Sequence, residues 1–439
     1  MIRISKKKAE TLVSAYLITT FMLFAVRDSM SGVMRYAFSL VHLDFLWFVV
    51  DAFAMGATII FFIQQFSRRN PLGIAICLSF VFSLVVSVFT TNDTIGGFFS
   101  SIKMFLPLLA GMSLSGTVLE ERKWPNIILH VVFVASVIGL ILNPYISYPW
   151  VGQTFNTLGV ERQATRLWWV EGGIVRYGGL AGDSTMAGYF CAFLYMLLAR
   201  QHRLLVNVVS WPIIYWALNT STSKTATGVF FIAILLYLFQ YFLGNNERRI
   251  FVMRKVARFS FLFILVPVVL IIFTAGMDLT EISPKLFSLQ DRINNTWQEP
   301  YILMAEMFPW TIFTGCGMGC MCYPIYYTSY AQLYIPLDNF YLMTLLMMGP
   351  STIFLLIAQY KSAGMSRDTS KLAVIFLFNI YSITVQCYGP SFATMMFGYM
   401  FSDVFALRSR TELRLKPILQ RFGSSDSLAS FRPLGRPAE

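Results

Sequence analysis

The sequence predicts an all-α protein, a polytopic integral membrane helical bundle of about twelve transmembrane helices with two long outer loops. Three observations lead there. Of 439 residues, 56% are hydrophobic and 13% are charged, where soluble domains carry roughly 25% charged residues. The apolar residues fall in blocks long enough for a bilayer, which needs about 20 residues as a helix. Period-two alternation, the mark of an outer-membrane barrel, is missing, and helices satisfy their own backbone in hydrocarbon.

In chain order, the apolar blocks predict spans at 10–26, 40–66, 71–90, 102–118, 125–143, 180–199, 204–220, 226–243, 259–276, 338–359, 371–388 and 392–407. Arg3, Lys6, Lys7 and Lys8 precede the first span and no small-residue cleavage site follows it, so it is expected to be a retained anchor. With the N-terminus on the cytoplasmic side, 25 of the 34 Lys and Arg fall in cytoplasmic segments, including Arg248, Arg249, Arg254, Lys255 and Arg258. The positive-inside rule therefore predicts that both termini are cytoplasmic. The net charge of +12 then reads as an orientation signal and an attraction to anionic lipid, not as a nucleic-acid footprint.

Residues 1–407 are thus expected to form the bundle, and 408–439 a basic, solvated cytoplasmic tail rich in Arg, Ser, Pro and Gly. Two connections are long, 144–179 and 277–337, and both fall outside. Long loops in a compact bundle commonly carry function. Within the second, Ile293, Trp297, Tyr301, Met304 and Phe308 recur at steps of three or four, which predicts one apolar helical face. No internal repeat is evident, which disfavours a transporter of duplicated halves. Of the six cysteines, Cys77 and Cys191 fall within spans as packing residues, while Cys316, Cys320, Cys322 and Cys387 lie toward the outside, where a disulfide is a better expectation than a metal site. Connectivity does not follow from the sequence.

Three segments hold the residues suited to chemistry. The first runs from Arg176 through Tyr-Gly-Gly-Leu-Ala-Gly to Asp183 and Ser184, directly into a span. Asp183 or Ser184 is placed to cap the helix, and a helix start with glycines and a nearby arginine also suits an anion. In the second, Lys224 stands among hydroxyls at another helix start, against the macrodipole. Either a bound anion or snorkelling to lipid phosphate would satisfy its charge. The third combines Arg292, the run Phe308-Pro-Trp-Thr-Ile-Phe-Thr-Gly315-Cys-Gly-Met-Gly319, and Asp338-Asn339-Phe-Tyr-Leu. Asp338 opens the expected tenth span, where a carboxylate is favourable with or without a further role. Asp44 and Asp51, seven residues apart, share a face of the second span, and Lys103 at the start of the fourth is a natural partner for Asp51. Such a pair serves structure or an ion pathway equally well.

In this order the motifs resemble those of the O-antigen polymerase and ligase superfamily, which includes the exopolysaccharide polymerases. The resemblance covers residues 125–360 in motif order and the whole chain in span count and loop placement. It implies a metal-independent glycosyltransferase without cofactor, working at the periplasmic face of the bacterial inner membrane on a glycan carried by undecaprenyl diphosphate. It assigns the diphosphate to Arg176 and Arg292, with Lys224 standing where an arginine is often found and lacking the bidentate fork. Ligases of the superfamily carry His-Asn where this chain has Asp338-Asn339, which favours a polymerase. A flippase and a chain-length regulator are the partners the resemblance implies.

Chemistry of that kind needs cations on a departing diphosphate and a base near the attacking sugar hydroxyl. Asp338 is the first choice for the base, Asp183 the second and Glu171 the third. Trp150, Trp168, Trp169, Tyr326, Tyr327 and Tyr330 lie in the outer loops, suited to sugar stacking or to an interfacial aromatic belt. A ligase is the alternative within the enzyme class, and a lipid-linked sugar flippase or another transporter is the alternative outside it.

Overall fold

The structure is a computed structural model that describes residues 6–117, 119, 122–157, 160–166, 168–169, 175–283 and 286–406. The helices up to the first long loop are α1 Lys6–Ser29, α2 Ser31–Leu40, α3 Val49–Ser67, α4 Pro71–Val88, α5 Ile95–Met112 and α6 Lys123–Leu142. Two short antiparallel hairpins follow, β1 Thr154–Thr157 with β2 Val160–Gln163, and β3 Trp168–Trp169 with β4 Val175–Arg176. Then come α7 Ser184–Leu198, α8 Leu204–Ser221, α9 Lys224–Phe242, α10 Asn246–Phe259 and α11 Val266–Phe273. The second loop carries α12 Leu279–Ile282, α13 Phe287–Asp291, α14 Glu299–Met307 and α15 Thr311–Thr314, before α16 Phe340–Met348, α17 Thr352–Met365, α18 Thr369–Tyr381 and α19 Ser391–Met400.

Every apolar block expected to span contains a helix. Eight helical segments among the described residues are long and apolar enough to cross a bilayer: Lys8–Ser29, Asp44–Ser67, Pro71–Val88, Ile95–Met112, Lys123–Leu142, Lys224–Phe242, Asn246–Phe273 and Phe340–Met365. The chain is a multi-pass membrane protein. Helices α7, α8, α18 and α19 fall short in length or apolarity, and three of them form the centre. In α7 every residue from Ala187 to Leu198 is buried, and α18 and α19 are almost as enclosed. The long helices instead leave one face uncovered, with Ile59 and Ile63 on α3, Val81 and Val85 on α4, and Val131, Val134 and Ile138 on α6. Steps of three and four put each set on one stripe, which is the surface a helix turns toward lipid.

Hydrocarbon provides no hydrophobic drive between helices, so close packing must hold the centre together. Helices α5 and α19 cross where Gly111 meets Gly398. A Cβ on Gly111 would lie 2.1 Å from the Met395 carbonyl oxygen, and one on Gly398 2.1 Å from that of Leu108. Only paired glycines allow this crossing.

The structure corrects several local expectations. Helix α5 begins at Ile95, capped by Thr94, whose hydroxyl accepts from the Gly97 amide at 3.0 Å. Lys103 therefore lies mid-helix and does not open the span, because the cap outranks the glycines that follow it. Asp44 is exposed in a 3₁₀ turn over Asp44–Phe48 and Asp51 is buried in α3, so the two do not share a face. At the tenth span Asn339, not Asp338, is the cap, accepting from the Leu342 amide at 2.8 Å. The Ile293, Trp297, Met304 stripe is buried as expected, but residues Arg292–Gln298 form a π-helix. Pro300 has no N–H to offer the Thr296 carbonyl, and its ring crowds the preceding turn, which favours the wider winding there.

The second long loop also dips into the bundle. Gly317 and Gly319 both hold φ of +87°, and a Cβ on Gly317 would lie 2.4 Å from the backbone of Ser87. The amides of Cys316 and Met318 donate to the carbonyls of Leu346 and Ser83, at 2.8 and 3.1 Å. Cys316 and Cys320 form a disulfide, while Cys77, Cys191, Cys322 and Cys387 are free and buried.

A cationic cavity at the loop end of the bundle

A cavity of about 470 Å³ opens at the end of the bundle that carries the two long loops. Its wall combines the last turn of α1, the first two turns of α2, the middle of α5, the β1–β2 hairpin, the start of α7 and the Tyr323–Tyr327 turn. Five cations line it, Arg27, Arg35, Lys103, Arg162 and Arg166, with the carboxylates Asp28, Glu161 and Asp183.

The cations are held in two different ways. Arg27 is 2% exposed, with Nε 2.9 Å from Asp28 Oδ1 and Nη1 2.7 Å from Asp51 Oδ1. The second oxygen of Asp51 lies 2.9 Å from Lys103 Nζ, the pair anticipated from sequence. Asp28 also accepts from the Phe392 amide at the start of α19, at 2.6 Å. These charges are compensated, as burial requires. Arg35 and Arg162 have no carboxylate within 4.0 Å among the described residues. Arg35 lies 3.7 Å from the ring centres of both Trp47 and Phe155, and Arg162 lies 5.4 to 5.9 Å from those of Tyr323, Tyr326 and Tyr327. Aromatic faces orient a guanidinium without neutralising it. Burial first, and then the positive charges of Arg27 and Arg162, push the Arg35 guanidinium below its ordinary range. The same burial raises Tyr323 and Tyr327, so both phenols remain neutral donors.

Three helix N-termini reach the same cavity. Ser31 begins α2, Asp183 caps α7 by accepting from the Met186 amide at 2.7 Å, and Ser391 begins α19. Each contributes partial positive charge to the space it faces. The cavity suits an anion.

Of the five candidate catalytic and diphosphate-binding residues, Arg176, Asp183, Lys224, Arg292 and Asp338, Asp183 alone lines this cavity. Arg292 and Asp338 are electrostatic neighbours of each other, and Arg292 Nη1 donates to the Thr384 carbonyl at 2.8 Å. The Thr384 hydroxyl bonds that of Thr225, next to Lys224, at 2.9 Å, and Ser223 caps α9. Arg176 ends β4, and the next amide, of Tyr177, donates to the Thr220 carbonyl in the last turn of α8. Of the five, Asp183 lines the cavity and the other four do not. Tyr326 and Tyr327 line the cavity, Tyr330 packs against Phe308, and Trp150 is buried against Tyr148. Glu171, the side chains of Trp168 and Trp169, and the tail 408–439 lie outside the described residues.

Four arginines, Arg27, Arg35, Arg162 and Arg166, were not singled out by motif, yet a signal existed. Of the nine Lys and Arg that fall outside the expected cytoplasmic segments, five line this one cavity. Cations retained against the topological bias mark a site.

Among the described residues no group of three or more His, Cys, Asp and Glu is arranged to hold a metal ion. No family model, curated protein or solved structure matches the chain.

Proposed function

We propose that the chain is a polysaccharide polymerase, a membrane-embedded glycosyltransferase that joins undecaprenyl-diphosphate-linked repeat units at the periplasmic face of the bacterial inner membrane. The observation that carries this reading is the cavity itself: five cations, three helix N-termini and the carboxylates Asp28, Glu161 and Asp183 at the loop end of a membrane bundle.

Transfer from a lipid diphosphate breaks the bond between the anomeric carbon and the phosphate oxygen, leaving an additional negative charge on the departing diphosphate. Fixed cations and dipoles stabilise that charge most where water is excluded. In this reading Arg35 and Arg162, which have no carboxylate within 4.0 Å among the described residues, bind the diphosphate, and Arg27 and Lys103 extend the positive wall. The acceptor hydroxyl attacks the anomeric carbon and its proton passes to Asp183, which lines the cavity. Asp338, the other candidate base, neighbours Arg292 and does not line it. Together with Arg176 and Lys224, that pair suits the binding of the acceptor glycan.

Deletion of the gene tests the reading. A polymerase defect leaves single repeats on lipid, a ligase defect leaves long lipid-linked chains, and a flippase defect strands repeats on the cytoplasmic side. Either of the last two patterns would displace the proposal. At the residue level, Asp183→Asn and Arg162→Ala are expected to abolish polymer while the protein remains in the membrane, and normal polymer from both would remove the cavity from the mechanism.

A further inference from the structure

The first turns of α2 hold an arrangement the motifs do not suggest. Ser31 and Arg35 are four residues apart on a ten-residue helix, so both project from one face, and both line the cavity. Ser31 is 5% exposed, and its hydroxyl oxygen has no hydrogen-bond partner among the described residues. A buried hydroxyl left unsatisfied is costly and calls for an explanation. Its surroundings limit what can occupy the space beside it: a Cβ on Gly182, which also lines the cavity, would lie 3.0 Å from Ser31 Oγ. Arg35, clamped between Trp47 and Phe155, is likewise without a carboxylate among the described residues.

We infer that Ser31 and Arg35 form a subsite for a phosphoryl group, in which the Ser31 hydroxyl and the Arg35 guanidinium donate to the same phosphate oxygens at the N-terminus of α2. The unpartnered donor, the uncompensated cation and the helix dipole all favour a compact anion there. The assignment deepens the proposed function, since the diphosphate of a lipid-linked donor is one source of such a group and free pyrophosphate another.

The test uses the purified full-length protein in lipid nanodiscs, with inorganic pyrophosphate and farnesyl diphosphate as calorimetric probes. Arg35→Ala and Ser31→Ala are each expected to weaken binding by about tenfold, with Lys361→Ala, an exposed lysine on α17, unchanged. Ser31→Ala removes a single oxygen and remains informative if Arg35→Ala fails to fold. Pyrophosphate binding equal to wild type in folded Ser31→Ala and Arg35→Ala overturns the subsite. Tighter binding of farnesyl diphosphate identifies a lipid-linked diphosphate as the ligand, and equal binding identifies the free anion; both outcomes retain the subsite provided the variants weaken them. Weakened binding in variants whose cells still make normal polymer retains the subsite and overturns the polymerase reading.

Discussion

Arg27 and Arg35 lie eight residues apart and face the same cavity, yet their environments differ in kind. Arg27 is compensated by Asp28 and Asp51, so loss of Asp51 leaves Arg27 with Asp28 only and takes from Lys103 the carboxylate it pairs with. Asp51→Ala is therefore expected to destabilise the protein by about 3–5 kcal/mol, because both Arg27 and Lys103 lose a carboxylate. A thermal melt in detergent measures this, and an unchanged melt would show that the triad is not structural. Arg35 sits on aromatic rings with no carboxylate within 4.0 Å among the described residues. Arg35→Ala is expected to weaken ligand binding by about tenfold and to lose polymer synthesis with a melt close to wild type, the opposite profile from Asp51→Ala.

At the scale of helices, the contact between α5 and α19 joins the cavity wall to the buried centre, since Lys103 lies on one helix and Ser391 begins the other. The crossing depends on backbone meeting backbone at Gly111 and Gly398. Gly398→Val is expected to force the helices apart and to cost about 1–3 kcal/mol or more, as overpacking of a close-packed core does. Gly228→Val on α9, where a Cβ meets nothing within 4 Å, serves as the matched control and is expected to shift the melt by much less. Equal shifts would mean that the crossing is not tightly specified. The same elements show where local reading succeeds. Asp183 caps its helix as the chain suggested because a cap forms within three residues. The start of α5 lies earlier than the apolar block suggests because Gly96, Gly97, Ser100 and Ser101 dilute the apolar run that follows the cap at Thr94.

For the whole molecule, function depends on which side of the membrane the loop end faces. With the cytoplasmic termini inferred from the charge bias, Tyr145→Cys, highly exposed after α6, is expected to react with a membrane-impermeant maleimide in intact spheroplasts. Lys361→Cys on α17 is expected to react only after lysis. The reverse pattern would put the cavity in the cytoplasm and exclude a periplasmic polymerase. The buried free cysteines provide a low background for the measurement.

The sequence by itself determined that this is a helical membrane protein, where its helices fall, and which loops are long. Those properties follow from hydropathy and charge summed over short windows, and such sums need no partner. It also supplied Asp183 and the pairing of Asp51 with Lys103. Only the tertiary structure decided which cations share a cavity. Arg27, Arg35, Lys103, Arg162 and Arg166 come from α1, α2, α5 and the first long loop, and no periodicity links positions so far apart. Their convergence is a product of helix packing, in which glycine crossings, a loop folded into the bundle and carboxylates shared between helices bring separated charges into one space.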